Sequence, residues 1–144
     1  MKLILLVEDS KFLRMANSRA LAKAGFRVVT ANDGEEALRV AIDGRPDLIL
    51  LDMLLPKMGG VEVLRELRKN PRTSTTPIVV MTGLAKSNES KLKLEGADGF
   101  FEKSKLDEGS DNFIEMVRAF LEEESKAGEM PCQSRLRGSR ATIR

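Results

Sequence analysis

The stretch DLILLDMLLPKMGG, residues 47–60, places an acid directly behind a strongly apolar run. Residues 48–51 are all Leu or Ile, which is typical of a central strand in a parallel sheet covered on both faces. Asp52 ends this run, and burying a carboxylate without partners costs several kcal/mol or forces it to take up a proton. The stretch therefore predicts a buried strand that carries Asp52 to the rim of a sheet, where other groups must stabilise its charge.

Four more short apolar runs lie along the chain, and segments with apolar residues three and four positions apart separate them. Strands that alternate with helices form right-handed βαβ units, and helices then cover both faces of the sheet. The sequence predicts a three-layer α/β sandwich with five parallel strands. The predicted strands are residues 3–7, 26–30, 48–51, 77–81 and 99–102, and the predicted helices are residues 10–24, 34–43, 61–67, 86–95 and 113–121.

The composition limits the location and the chemistry of the chain. Its 144 residues suit one domain with a real core. No apolar run approaches the roughly 20 residues that a membrane helix needs, so we expect no membrane association. Cys132 is the single cysteine, which excludes an internal disulfide and favours a cytoplasmic location. Histidine is absent, so any phosphohistidine that supplies this chain must belong to another protein.

The carboxyl-terminal segment differs from the rest of the chain. We assign residues 1–124 to the folded domain and residues 125–144 to a basic tail or linker, predicted to be disordered. Residues 126–144 contain five basic residues and one acid, Glu129. Nucleic-acid binding through this tail is an alternative, but no aromatic residues lie between the arginines, and we favour a solubilising role.

Polar residues follow four of the five predicted strands. Glu8 and Asp9 end the first strand, Asp52 the third, Thr82 the fourth and Lys103 the fifth. The carboxyl ends of parallel strands meet at one edge, which is where α/β sheets bind ligands. Each residue alone is typical of a helix cap or a solvated loop, but the five together indicate a functional site.

The residue types at this edge favour metal-assisted phosphoryl transfer. Three clustered carboxylates cannot all stay ionised without cations. Lys103 supplies one charge, and Mg²⁺, which binds carboxylate oxygens and keeps several waters, supplies the rest. Asp52 beside the metal is then a nucleophile of the aspartyl-phosphate type. Phosphoryl transfer depends mainly on positioning and charge neutralisation, so it needs no histidine in this chain.

Residues 1–124 resemble a response-regulator receiver domain of the two-component signalling family, in particular the single receivers of chemotaxis type. The matching motifs are LLVEDS (5–10), LLDMLLPKMGG (50–60), VMTGLA (80–85) and ADGFFEKS (97–104). The resemblance implies a flavodoxin-like (βα)5 fold with strand order 2-1-3-4-5. It also implies a bacterial signalling protein that receives its phosphoryl group from a sensor histidine kinase or a phosphotransfer protein.

The resemblance implies a role for each metal-site residue. Asp52 matches the phosphoacceptor, and Glu8 and Asp9 match the acidic pair that organises Mg²⁺. The backbone carbonyl of Leu54 occupies the position of a main-chain metal ligand. Glu8 departs from the Asp that is also common there, and its longer side chain is expected to reach the metal through water.

The resemblance also implies a switch. Thr82 matches the hydroxyl that bonds a phosphoryl oxygen, and Lys103 matches the lysine that pairs with it. Phe100 lies at the position of an aromatic ring that turns inward when Thr82 moves. This change is expected to alter the face formed by the fourth helix, fifth strand and fifth helix, and so to control a downstream protein.

Two further departures affect the expected chemistry. Ser104 follows Lys103 where the family usually has proline, so a cis peptide bond is not expected there. Leu54 and Leu84 lie two residues after Asp52 and Thr82, where family side chains flank the path of the hydrolysing water. Two apolar groups position that water poorly, so we expect slow self-dephosphorylation.

Several alternatives stay open from the sequence. The chain is either a stand-alone receiver or part of a longer regulator, and either a monomer or a phosphorylation-dependent dimer. A phosphohydrolase with an aspartyl nucleophile would use the same acids, but the haloacid-dehalogenase type needs a second Asp at the position of Leu54. We therefore expect no enzyme, but a phosphoacceptor that assists its own phosphorylation and dephosphorylation.

Overall fold

The computed structural model describes residues 2–53, 58–82, 89–102 and 111–129. For residues 82, 89, 90 and 123–129 it describes the backbone alone. Within these ranges five strands alternate with five helices. The strands are β1 (Leu3–Val7), β2 (Arg27–Ala31), β3 (Leu48–Asp52), β4 (Ile78–Thr82) and β5 (Gly99–Glu102), and the helices are α1 (Lys11–Lys23), α2 (Gly34–Gly44), α3 (Gly60–Lys69), α4 (Glu89–Glu95) and α5 (Asp111–Glu129).

The five strands form one parallel sheet in the order β2-β1-β3-β4-β5. This order and the helices around the sheet confirm the predicted flavodoxin-like fold. Val7 of β1 pairs with Leu51 of β3. Asp52 pairs with Met81 of β4, so the residues that follow these strands meet at the carboxyl edge of the sheet.

Two apolar cores lie on opposite faces of the sheet, because successive strand residues point to opposite sides. Leu5, Val7 and Leu51 face the core beneath α2, α3 and α4. Leu6 and Leu50 face the core beneath α1 and α5. Both sets are fully buried, which explains why these strands are continuously apolar and do not alternate with polar residues.

The observed bounds refine the predicted ones. Strand β5 matches the prediction, whereas β2 and β4 each begin and end one residue later. Asp52 belongs to β3, since the backbone ladder with β4 continues past the last apolar residue. Helix α5 continues to Glu129, five residues into the segment predicted as tail. The remaining predicted tail, residues 130–144, lies outside the described residues, as do residues 86–88 of the predicted fourth helix.

Helix α1 is capped at its start and buries only part of its apolar residues. Ser10 is the N-cap, and its side chain accepts a hydrogen bond from the Leu13 backbone N–H at 3.3 Å. Asn17 and Leu21 are buried, while Ala16 is exposed.

Among the helices in the described ranges, none is long and apolar enough to cross a lipid bilayer.

Candidate functional site

Three carboxylates meet at the carboxyl edge of the sheet. Glu8 directly follows β1, Asp9 comes next, and Asp52 is the last residue of β3. One carboxylate oxygen from each residue lies within 4.8 Å of the other two. Glu8 is fully buried and Asp52 is 2% exposed, whereas Asp9 is open to solvent. The predicted convergence of these three acids is therefore present in the structure.

The main chain and the side chain of Glu8 are both held. Its backbone N–H donates to the Ala31 carbonyl at 3.0 Å and so extends the pairing of β1 with β2. Its Oε2 accepts a hydrogen bond from the Ser10 backbone N–H at 3.2 Å. Ser10 is also the N-cap of α1, so the start of that helix and the buried carboxylate are built from the same short turn.

Arg14 is a component of the site that the sequence did not identify. Its Nη1 donates to the backbone carbonyl of Glu8 at 2.9 Å and to that of Asp9 at 3.3 Å. The guanidinium therefore ties α1 to the main chain that carries both acids. In the sequence, Arg14 is one of several basic residues in an amphipathic helix, and no local pattern distinguishes it from a surface arginine.

The main chain of Met53, directly after Asp52, forms hydrogen bonds on two sides. The Met53 backbone N–H donates to the Met81 carbonyl of β4 at 3.4 Å, and the Met53 carbonyl accepts from the Gly60 N–H at 3.2 Å. Gly59 is the N-cap of α3 and Gly60 its first residue. Helix α3 thus starts at Gly60, whose N–H links the helix to the main chain directly after Asp52.

The other predicted site residues are placed only in part. Thr82 ends β4 at the site edge, where its backbone pairs with Glu102 of β5, but its side chain is outside the described part of the chain. Leu54 and Lys103 also lie outside it, as does the peptide bond after Lys103. Phe100 is half-buried against the core beneath α4.

The three acids fit a small divalent cation. Their oxygens are close enough to share one ion, and carboxylate oxygens are the ligands that Mg²⁺ prefers. Mutual repulsion of three carboxylates also favours a cation between them. The exposed side of Asp9 leaves an open approach from solvent, which an ion that retains several waters requires.

Comparison with known proteins defines the family. The family model described as the response regulator receiver domain matches residues 4–118. The chain belongs to this family and is the receiver domain of a two-component response regulator.

Individual relatives support this assignment. The alkaline phosphatase synthesis transcriptional regulatory protein PhoP of Bacillus subtilis is 40% identical over 103 residues, which are 71% of this chain and 42% of PhoP. The chain spans about half the length of the curated relatives that it matches.

Two solved structures show the same fold. The Vibrio cholerae chemotaxis protein CheY4 is 36% identical, with a TM-score of 0.68 over 72% of this chain and 87% of CheY4. The Thermotoga maritima response regulator TrrA, solved in complex with Mg²⁺ and BeF, is 31% identical, with a TM-score of 0.73 over 84% of this chain and 100% of TrrA.

Proposed function

We propose that this chain accepts a phosphoryl group on Asp52 in a Mg²⁺-dependent reaction and thereby controls a partner protein. The observation that carries the proposal is the nearly buried Asp52 carboxylate, within 4.8 Å of the carboxylates of Glu8 and Asp9 at the carboxyl edge of the sheet. The TrrA structure supports the metal part of the proposal, since that relative was solved with Mg²⁺ and BeF.

The phosphoryl donor is a phosphohistidine on a sensor histidine kinase or a phosphotransfer protein, because this chain contains no histidine. A carboxylate oxygen of Asp52 attacks the phosphorus atom. The phosphorus–nitrogen bond then breaks, and its electron pair returns to the imidazole ring of the donor. Asp52 needs no general base for this step, since its carboxylate is already a nucleophile when ionised.

Residues of this chain would hold the metal and orient the phosphoryl group. Glu8, Asp9, Asp52 and the backbone carbonyl of Leu54 would bind Mg²⁺, with Glu8 acting through water. When bound, the ion neutralises negative charge on the carboxylates and on the transferred group. Thr82 and Lys103 would bind the phosphoryl oxygens from β4 and from the end of β5.

The output surface is the face formed by α4, β5 and α5. Leu94 of α4 is 89% exposed, which leaves a large apolar side chain available for a partner contact. Phe100 of β5 is half-buried and could change its burial when Thr82 moves toward the phosphoryl group. Phosphorylation would then shift an existing balance between two conformations of this face, recognised by another protein or a second receiver.

A stoichiometry measurement tests the proposal against the phosphohydrolase alternative. The chain is incubated with Mg²⁺ and acetyl phosphate, and covalent phosphate is counted by intact mass. A receiver incorporates a single phosphoryl group per chain and does not turn over small phosphate esters. A parallel assay measures the phosphate released from a small phosphate monoester. Repeated turnover of that ester, lost in Asp52→Ala, would overturn the proposal in favour of a phosphohydrolase.

A further inference from the structure

Gly60 lies unusually close to the main chain around Asp52. A Cβ atom at this position would lie 2.8 Å from Met53 Cα and 3.1 Å from the Asp52 carbonyl oxygen. It would also lie 2.5 Å from Met53 Cε, but that atom ends a flexible side chain and can move. The contact with Met53 Cα is different, because this atom belongs to the backbone bonded directly to Asp52.

The usual reasons for a glycine do not apply at position 60. Gly25 and Gly96 are the glycines with positive φ among the described residues, so Gly60 has a backbone conformation open to alanine. It is the first residue of helix α3, where alanine has the higher helix propensity. The N-cap role belongs to Gly59, where an added Cβ would meet no atom of the described part of the chain within 4 Å. Close approach to residues 52 and 53 is the reason that remains.

This close approach occurs where hydrogen bonds hold the main chain of Met53 in place. The Gly60 N–H donates to the Met53 carbonyl at 3.2 Å, while the Met53 N–H donates to Met81 of β4 at 3.4 Å. The main chain after Asp52 is therefore fixed between the sheet and the first turn of α3. A side chain at position 60 would push the main chain of Met53 away from the helix, and with it the adjoining main chain of Asp52.

We propose that Gly60 is a positioning residue for the Asp52 carboxylate, an inference that rests on the proposed role of Asp52 as phosphoacceptor. The absent side chain lets α3 begin against the Asp52–Met53 main chain. This packing sets the position of the Asp52 carboxylate relative to Glu8 and Asp9, on which metal binding and phosphoryl acceptance both depend.

Gly60→Ala tests the proposal with two matched controls. Gly59→Ala adds the same methyl group one residue earlier, where no atom of the described residues lies within 4 Å of the added Cβ. Gly99→Ala crowds the Phe120 ring at the amino end of β5, far from the site edge, and so reproduces a loss of stability without touching Asp52. Each variant is compared with the wild type for its unfolding midpoint, its Mg²⁺ affinity by calorimetry and its phosphorylation rate with acetyl phosphate.

We expect Gly60→Ala to lower both the Mg²⁺ affinity and the phosphorylation rate by about tenfold, since small displacements of reacting groups are costly. Gly59→Ala and Gly99→Ala should keep the Mg²⁺ affinity within about twofold of the wild type. If Gly60→Ala does not fold, the double variant Gly60→Ala/Met53→Ala removes the side-chain clash, leaves the main-chain clash, and should show the same loss.

Wild-type Mg²⁺ affinity in a folded Gly60→Ala protein or in the double variant would overturn the inference, as would an equal loss in Gly99→Ala. These outcomes leave the proposed function intact as long as the wild type is phosphorylated. If the wild type binds Mg²⁺ but takes up no phosphoryl group, the proposed function fails, and the comparison of Mg²⁺ affinities still decides the role of Gly60.

Discussion

Arg68 Nη2 lies 2.6 Å from Asp98 Oδ2, and this ion pair joins α3 to the turn that precedes β5. The same carboxylate oxygen accepts the Ile78 backbone N–H at 2.9 Å, at the start of β4. Arg68 also donates to the backbone carbonyls of Thr76 at 2.7 Å and Gly96 at 2.8 Å. One guanidinium therefore connects α3 with the segments that lead into the last two strands.

Arg68→Met should lower the free energy of unfolding by about 3 kcal/mol, because it leaves the partly buried Asp98 carboxylate without its cationic partner and several backbone carbonyls without the Arg68 donor. Burial lowers the pKa of Arg68 below its ordinary value, and the charge and hydrogen bond of Asp98 oppose this effect. Urea denaturation measures the change. Arg39→Met is the control, since Arg39 forms an exposed pair with Glu36 at 3.7 Å, and it should change the free energy of unfolding by less than about 1 kcal/mol. Equal losses in both variants would contradict this account.

The ion pair between α3 and α4 predicts a dependence of stability on pH. Arg65 forms two hydrogen bonds with Glu95, each 2.7 Å long. The hydrogen bond from Arg65 lowers the pKa of Glu95 below its ordinary value of 4.5. The folded state then binds this proton less readily than the unfolded state, so the contribution of Glu95 is present above pH 4.5 and is lost as the pH falls through the folded-state pKa.

Glu95→Gln tests this pH dependence. The difference in unfolding free energy between wild type and Glu95→Gln should be largest at neutral pH and should shrink as the pH falls below 4.5. Glu66→Gln serves as the control, because Glu66 also lies on α3, where it forms an exposed contact with Lys69 at 3.4 Å. A difference for Glu95→Gln that stays constant across this range would contradict the prediction.

A phenylalanine in the core beneath α1 and α5 and one on the surface are expected to contribute differently to stability. Phe113 is fully buried, and its ring centroid lies 5.5 Å from that of Phe101, with the two rings tilted by 57°. Phe113→Ala should lower the free energy of unfolding by about 3–5 kcal/mol, through lost burial and the cavity that remains. Phe12 on α1 is 78% exposed, and Phe12→Ala should change the free energy of unfolding by less than about 0.5 kcal/mol. Thermal denaturation of both variants measures the contrast, and similar losses would refute it.

The leucines at positions 54 and 84 predict slow loss of the phosphoryl group from Asp52. Neither side chain can hydrogen-bond an attacking water, so the phosphorylated form should persist well beyond seconds once the donor is removed. Leu54→Asn supplies a polar group at one of these positions and should shorten that lifetime. Intact mass followed over time provides the measurement. A wild-type lifetime of seconds or less would refute the prediction.

Much of the fold could be predicted from the sequence because burial on both faces makes central strands continuously apolar. Residues 48–51 and residues 78–81 carry this signal, and all of them are fully buried. The end of α5 could not be predicted in the same way. Its last turns are rich in Glu, Lys and Ala, which favour helix without apolar periodicity.

The candidate site was predicted only as far as strand ends determine it. Glu8, Asp9 and Asp52 follow strands, so parallel topology alone places them at one edge. Arg14 and Gly60 support the same site through contacts that depend on how α1 and α3 pack, and their local sequence shows no sign of this. The ion pair of Arg68 with Asp98 likewise depends on packing, since the two residues lie 30 positions apart in the sequence.

The most direct test is to identify the residue that receives phosphate. Wild type, Asp52→Ala and Asp43→Ala are each incubated with acetyl phosphate, with and without Mg²⁺, and analysed by intact mass; Asp43 is an exposed acid on α2 and serves as the control. We predict one phosphoryl group on the wild type and on Asp43→Ala, only with Mg²⁺, and none on Asp52→Ala. Phosphorylation of Asp52→Ala, or a folded wild type that stays unmodified, would contradict the account.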